Sequence, residues 1–144
     1  MATVQANEHL FSRHAMRTYV HDPADATVAA YIAWVDMRDF SHFAALAALV
    51  SGTGILTFKI FAATDSSGTS ATLVKAHSDP TPADAAGDNV VLEVSVEQVR
   101  AVLSAARYVS VEMDCDAAGD IVTVTYIRCA SRHAYRALTA DVIA

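Results

Sequence analysis

The sequence predicts an all-β fold: a jelly-roll-like β-sandwich of about seven or eight short strands, with one short helix and extended termini. Two observations carry this. Apolar and polar residues alternate with a period near two in several short segments, the pattern of a strand with one buried face. Gly, Asp, Ser and Pro cluster between those segments, as turn residues do. A third observation bears on function: the strands end in an arginine-bearing tail, and no catalytic constellation appears along the chain.

Residues 1–26 are polar and irregular, and Pro23 biases the backbone before it toward extended conformations. They read as an N-terminal arm, ahead of a β-sandwich domain at 27–130 and a C-terminal tail at 131–144. Residues 28–36, Val-Ala-Ala-Tyr-Ile-Ala-Trp-Val-Asp, read as the first strand, in which Tyr31 and Trp34 would point to opposite faces. Residues 42–50 are rich in alanine and have high helix propensity. They are short, alternate in part and end at Ser51-Gly52-Thr53-Gly54, so they read as a strand.

Residues 55–64 form the clearest strand, with Leu56, Phe58, Ile60 and Ala62 on one face and Thr57 and Lys59 on the other. After the loop Asp65-Ser66-Ser67-Gly68-Thr69-Ser70 come a short strand at 71–76, a long exposed loop at 77–89 and a strand at 90–95. Val99, Val102 and Leu103 fall at helical spacing, which places the one helix within 96–106. The segments 108–113 and 121–128 read as a hairpin around Asp114–Asp120. Phe58, Ile60, Val109, Val111, Met113, Val122 and Val124, with Leu56, are the expected core.

Composition narrows the function. The chain has 144 residues, enough for one domain with a real core. It is 53% hydrophobic, much of it alanine, and 18% charged, too apolar for disorder throughout. A formal net charge of -6 argues against nucleic acid as the main partner, because phosphate binding needs a basic face. The apolar run Phe43–Val50 is far too short to span a membrane, and residues 1–14 lack a signal-peptide core. Cys115 and Cys129 are a weak disulfide signal; free thiols made in a reducing bacterial cytoplasm are the expectation.

The motifs that would carry chemistry are missing or have plainer readings. Asp114, Asp116 and Asp120 with Gly119 resemble the start of a calcium loop, but Thr125 stands where the bidentate glutamate belongs, and Asp and Gly are ordinary turn residues. The histidines are scattered, with neither His-Glu-x-x-His nor Cys-x-x-Cys spacing. Asp79, Asp84 and Asp88 lie in a loop that offers no cleft for acid–base work. No catalytic, metal or cofactor residue is assigned, and no enzyme activity is expected.

The succession of parts resembles small β-rich virion proteins of tailed phages and gene transfer agents. It consists of the Ala/Tyr/Trp strand ending in Val35-Asp36-Met37, a strand running into Ala62-Ala63-Thr64-Asp65-Ser66-Ser67-Gly68-Thr69, an acidic linker, Ala106-Arg107-Tyr108-Val109-Ser110-Val111, and Val122-Thr123-Val124-Thr125-Tyr126-Ile127-Arg128 with its tail. The resemblance spans residues 28–140. It implies a subunit on the capsid exterior, as head decoration or the base of a head spike or fibre. Its partners would be copies of itself in a ring, and a major capsid protein or a spike or fibre protein.

Apolar residues in polar termini need cover, so Leu10, Phe11 and Tyr19 in the arm and Arg132, Tyr135 and Leu138 in the tail are candidate interface residues, joined by Trp34. The alternative is a small carbohydrate-binding β-sandwich in which exposed aromatics such as Trp34 stack on sugars.

Overall fold

The computed structural model describes residues 15–21, 30–78 and 82–131. They form two antiparallel sheets and one short helix. The strands are β1 (Ala15–His21), β2 (Ala30–Tyr31), β3 (Val35–Asp36), β4 (Phe40–Ser51), β5 (Ile55–Ala63), β6 (Thr72–Ala76), β7 (Asn89–Ser95), β8 (Tyr108–Cys115) and β9 (Ile121–Ser131). One sheet has the order β1-β9-β4-β7. The other runs β2-β8-β5-β6, with β3 also paired to β8. The sandwich fold read from the alternation is what the chain adopts.

The two inner faces supply one core. Phe43, Ala45, Ala47 and Leu49 of β4, Val90, Leu92 and Val94 of β7, and Val122, Val124 and Tyr126 of β9 meet Phe58, Ile60, Val109, Val111 and Met113 from the opposite sheet. The alanine-rich segment is a strand despite its helix propensity because β7 and β9 flank it on both sides. Tertiary pairing overrides a weak local preference. Tyr126 Oη accepts a hydrogen bond from Val111 N at 2.8 Å, a polar tie between the sheets inside the core.

The helix α1 (Val96–Val102) follows β7 directly. A capping box starts it: Ser95 Oγ accepts from Gln98 N, and Gln98 Oε1 accepts from Ser95 N. Val96 and Val99 bury its inner face.

Several expectations are corrected. Strands β8 and β9 are not a hairpin: β8 pairs with β5, β2 and β3, and β9 with β4 and β1. Both carry an apolar face that must point inward, so they face each other across the core instead of lying side by side. The turn between them therefore crosses from one sheet to the other, as does the turn from β4 to β5. Leu56 is half-buried, because an irregularity between Ile55 and Thr57 makes it the extra residue and puts Ile55 in the core instead.

The expected first strand is broken at 32–34, which brings Tyr31 and Trp34 together with their rings 5.1 Å apart. Part of the expected irregular arm, Ala15–His21, is an edge strand on β9. A pattern search misses it because its apolar Met16 and Val20 are exposed on the outer side, while Arg17 shares the inner side with Tyr19. The loop after β6 is tied down: Ala83 is buried and accepts a hydrogen bond from Ile55 N at 2.9 Å.

Candidate functional site

The outer face of the β1-β9-β4-β7 sheet is the candidate site. Because Phe43, Ala45 and Ala47 point inward, Ala44, Leu46 and Ala48 point outward. Register then aligns three rows across the sheet: Met16–Ile127–Ala44–Glu93, Thr18–Thr125–Leu46–Val91 and Val20–Thr123–Ala48–Asn89. Glu93 is the one charged residue among them. Met16 is 56% exposed, Val20 70% and Val91 56%. Thr18 and Thr125 share one hydrogen bond at 2.9 Å across the strands. Covering this face would strand almost no charge, and a contiguous exposed apolar surface is a mark of an interaction site.

The outer face of the β2-β8-β5-β6 sheet is built differently. Lys59 and Glu112 pair across strands at 3.3 Å. Tyr31, Trp34 and Phe61 cluster beside them, Tyr31 and Phe61 edge to face at 5.4 Å. Trp34 is held by the β5–β6 turn: a Cβ on Gly68 would lie 2.8 Å from its indole. In that turn the Asp65 carboxylate accepts from Ser67 Oγ at 2.6 Å, Ser67 N at 2.9 Å and Thr69 N at 3.2 Å. The Ser67 and Thr69 hydrogen bonds hold its carboxyl far below the usual range. The aromatic rings of this face are thus engaged by the chain itself.

The carboxylates read as turn residues do turn chemistry. Asp120 is almost fully buried and accepts from Thr53 N and Ala117 N, both at 3.0 Å, and from Gly54 N at 3.4 Å. It fastens the β4–β5 crossing to the β8–β9 crossing. Burial pushes its carboxyl up, but these backbone donors outweigh that and hold it below the ordinary range. Gly52, with φ +125°, leaves room for it; a Cβ there would collide with the carboxylate. Asp88 Oδ2 likewise accepts from Asp84 N and Ala85 N.

Among the described residues no group of three or more His, Cys, Asp or Glu side chains is placed to hold a metal ion. No described helix is long and apolar enough to cross a membrane. Both cysteines are free thiols, Cys115 on β8 and Cys129 on β9. Burial pushes the Cys115 thiol up to about 11, so it stays protonated and unreactive.

Of the candidate interface residues, Leu10, Phe11, Arg132, Tyr135 and Leu138 lie outside the described residues. Tyr19 packs edge-on against Tyr126 at 5.1 Å, at the end of the core, and Trp34 lies under the β5–β6 turn. The outward residues that matter on β1 are instead Met16 and Val20. The signal that could have found this face is the unbroken apolar run Phe43–Val50: a strand that does not alternate has two apolar sides.

No protein-family model matches the chain, and no curated protein matches it. Solved structures with a distant likeness share the β-sandwich. One is a protein of Bacillus endospore appendages, described as disulfide-linked pili, at 17% identity over 83% of this chain and 90% of that one, with a TM-score of 0.44. A second is the SPBc2 prophage-derived protein YomS, at 12% identity over 81% and 95%, with a TM-score of 0.44. A third is a Clostridium thermocellum xylanase 10B fragment with a CBM22 module, at 14% identity over 89% of this chain and 28% of that one, with a TM-score of 0.44. Viral coat proteins, such as that of Tobacco streak virus, are similar at still lower TM-scores. At TM-scores below 0.5 these likenesses carry no conclusion about this chain.

Proposed function

We propose that this protein is a non-enzymatic structural subunit of a phage-like particle, made in the bacterial cytoplasm and attached to the capsid exterior as head decoration or the base of a head spike. It acts through protein–protein contacts, without nucleic acid or membrane. The observation that carries the reading is the apolar outer face of the β1-β9-β4-β7 sheet. A face with a single charged residue and several half-exposed aliphatic side chains is costly on an isolated molecule and useful on one that is covered in assembly. The cover proposed is a second copy, since the face buries no unpaired charge against itself apart from Glu93 at its margin.

The sugar-binding alternative needs aromatic rings with an open face. Trp34 is held against Gly68 and Phe61 packs against Tyr31, which leaves Tyr31, 41% exposed, as the one exposed ring of the three; a single exposed ring favours the assembly reading. The test is co-sedimentation of the purified chain with purified tailed-phage heads. Saturable binding that ignores soluble glycans is the expected result. A monomer that ignores capsids but is retarded by a polysaccharide in affinity electrophoresis would reverse the order of the two readings.

A further inference from the structure

At the end of the sandwich where β4 begins, a pocket of about 130 Å³ opens between α1 and the segments at 37–38 and 106–107. Its floor is apolar: Met37, Val96, Val99 and Ala106 are all buried. Its remaining lining is Arg38, Arg100 and Arg107, three guanidiniums with no carboxylate among them. Asp36 already pairs with two of these, which leaves Arg100 as the guanidinium it does not engage. Asp36 Oδ2 accepts from Arg107 Nη2 at 2.6 Å and from Arg38 Nη2 at 3.2 Å. A cavity of about 150 Å³ holds one benzene ring, so this pocket has room for one aliphatic side chain. A guanidinium rim around an apolar hole selects an aliphatic side chain that lies next to a carboxylate in sequence.

The chain itself carries such a segment, Asp141-Val142-Ile143. The strand that leads to it leaves beside the pocket. Ser131, the last residue of β9, pairs with Phe40. Arg128 lies over the Phe40 ring at 4.8 Å and donates to the Asp36 carbonyl at 2.8 Å. From Ser131 to Asp141 an extended chain reaches roughly 33 Å, enough to cross to a neighbouring molecule. The competing acidic and apolar segment, Glu8-His9-Leu10-Phe11, precedes β1, one strand further from the pocket, and Phe11 is a bulkier plug.

We propose that this arginine-rimmed pocket receives Asp141-Val142-Ile143 of a second copy, with Val142 or Ile143 in the hole and Asp141 on the guanidiniums. The inference rests on the assembly reading for the presence of a second copy.

The test mixes two full-length chains, Arg100→Cys and Asp141→Cys, each also carrying Cys129→Ser, under mild oxidation. A disulfide-linked mixed dimer is expected. In a second arm, Arg100→Asp and Asp141→Arg should each weaken self-association at least tenfold, and their combination should restore it to within about threefold. Arg100 is exposed, so folding should survive; Arg38→Cys and Arg38→Asp repeat both arms if it does not. No mixed dimer, or no rescue by the combined exchange, overturns the proposal. Capsid co-sedimentation separates the two readings. Binding without the mixed dimer sinks the pocket alone, and the mixed dimer without binding sinks the particle alone.

Discussion

The two outer faces of this sandwich solve the same problem in opposite ways. The β2-β8-β5-β6 face is engaged in large part by the chain itself, through a cross-strand ion pair, an aromatic cluster and a turn pressed against Trp34, and leaves Tyr31 and Leu73 exposed. The β1-β9-β4-β7 face presents Met16, Val20, Leu46, Val91 and Ile127 around one hydrogen-bonded threonine pair. Both back onto the same core and serve the fold equally well. The difference teaches where to look for function in a chain without a catalytic centre: on the surface that the chain does not finish by itself.

The comparison first depends on the sheets being held rigidly together, and the largest effect should come from the clamp that does this. Asp120→Ala would leave the buried N–H of Gly54 and the part-buried N–H groups of Thr53 and Ala117 without their acceptor, and should cost about 3 kcal/mol in urea unfolding. A cost below about 1 kcal/mol would mean that the crossings hold without it. The same group sets an acid limb. Its folded carboxyl titrates below the ordinary value of about 3.9. Its stabilisation is therefore complete above that value and is lost as pH falls through the depressed folded one. Melting temperature should drop below about pH 4, and Asp120→Asn should flatten that drop.

Tyr126→Phe removes the acceptor of Val111 N in the core and should cost about 1–3 kcal/mol. On the closed face, Gly68→Ala asks for a side chain at φ +84° against the indole, and should cost about 2 kcal/mol. Trp34 is the only tryptophan, so its emission should shift to the red in that variant and report the opening of this face directly. An unchanged spectrum would mean that the turn does not cover Trp34. The smallest effect belongs to the part-buried ion pair: Lys59→Met should change stability by less than about 1 kcal/mol.

The inner faces were legible in the sequence, because Phe58, Ile60, Val109, Val111, Met113, Val122 and Val124 alternate with polar neighbours and burial enforces that period. Partner choice was not. Nothing local distinguishes a hairpin at 114–120 from a crossing between sheets; that depends on Asp120 reaching Thr53 and Gly54, which are far away in sequence. Strand β1 was missed because its outward residues, Met16, Thr18 and Val20, mix with polar ones on an edge that one partner alone supports. The candidate face was not read from the sequence: the run Phe43–Val50 could have pointed to a strand apolar on both sides, but Met16, Ile127 and Val91 join it only through register.

The most direct test of the central claim is the mass of the chain in solution, wild type against Val91→Lys and Val20→Lys, by sedimentation equilibrium across a concentration series. Both residues are exposed on the candidate face and outside the core, so folding should be kept, as circular dichroism will check. The account predicts a concentration-dependent oligomer for the wild type and a shift toward monomer in both variants, with melting temperatures near that of the wild type. A wild type that stays monomeric at every concentration, or variants that associate as strongly as it does, would contradict it.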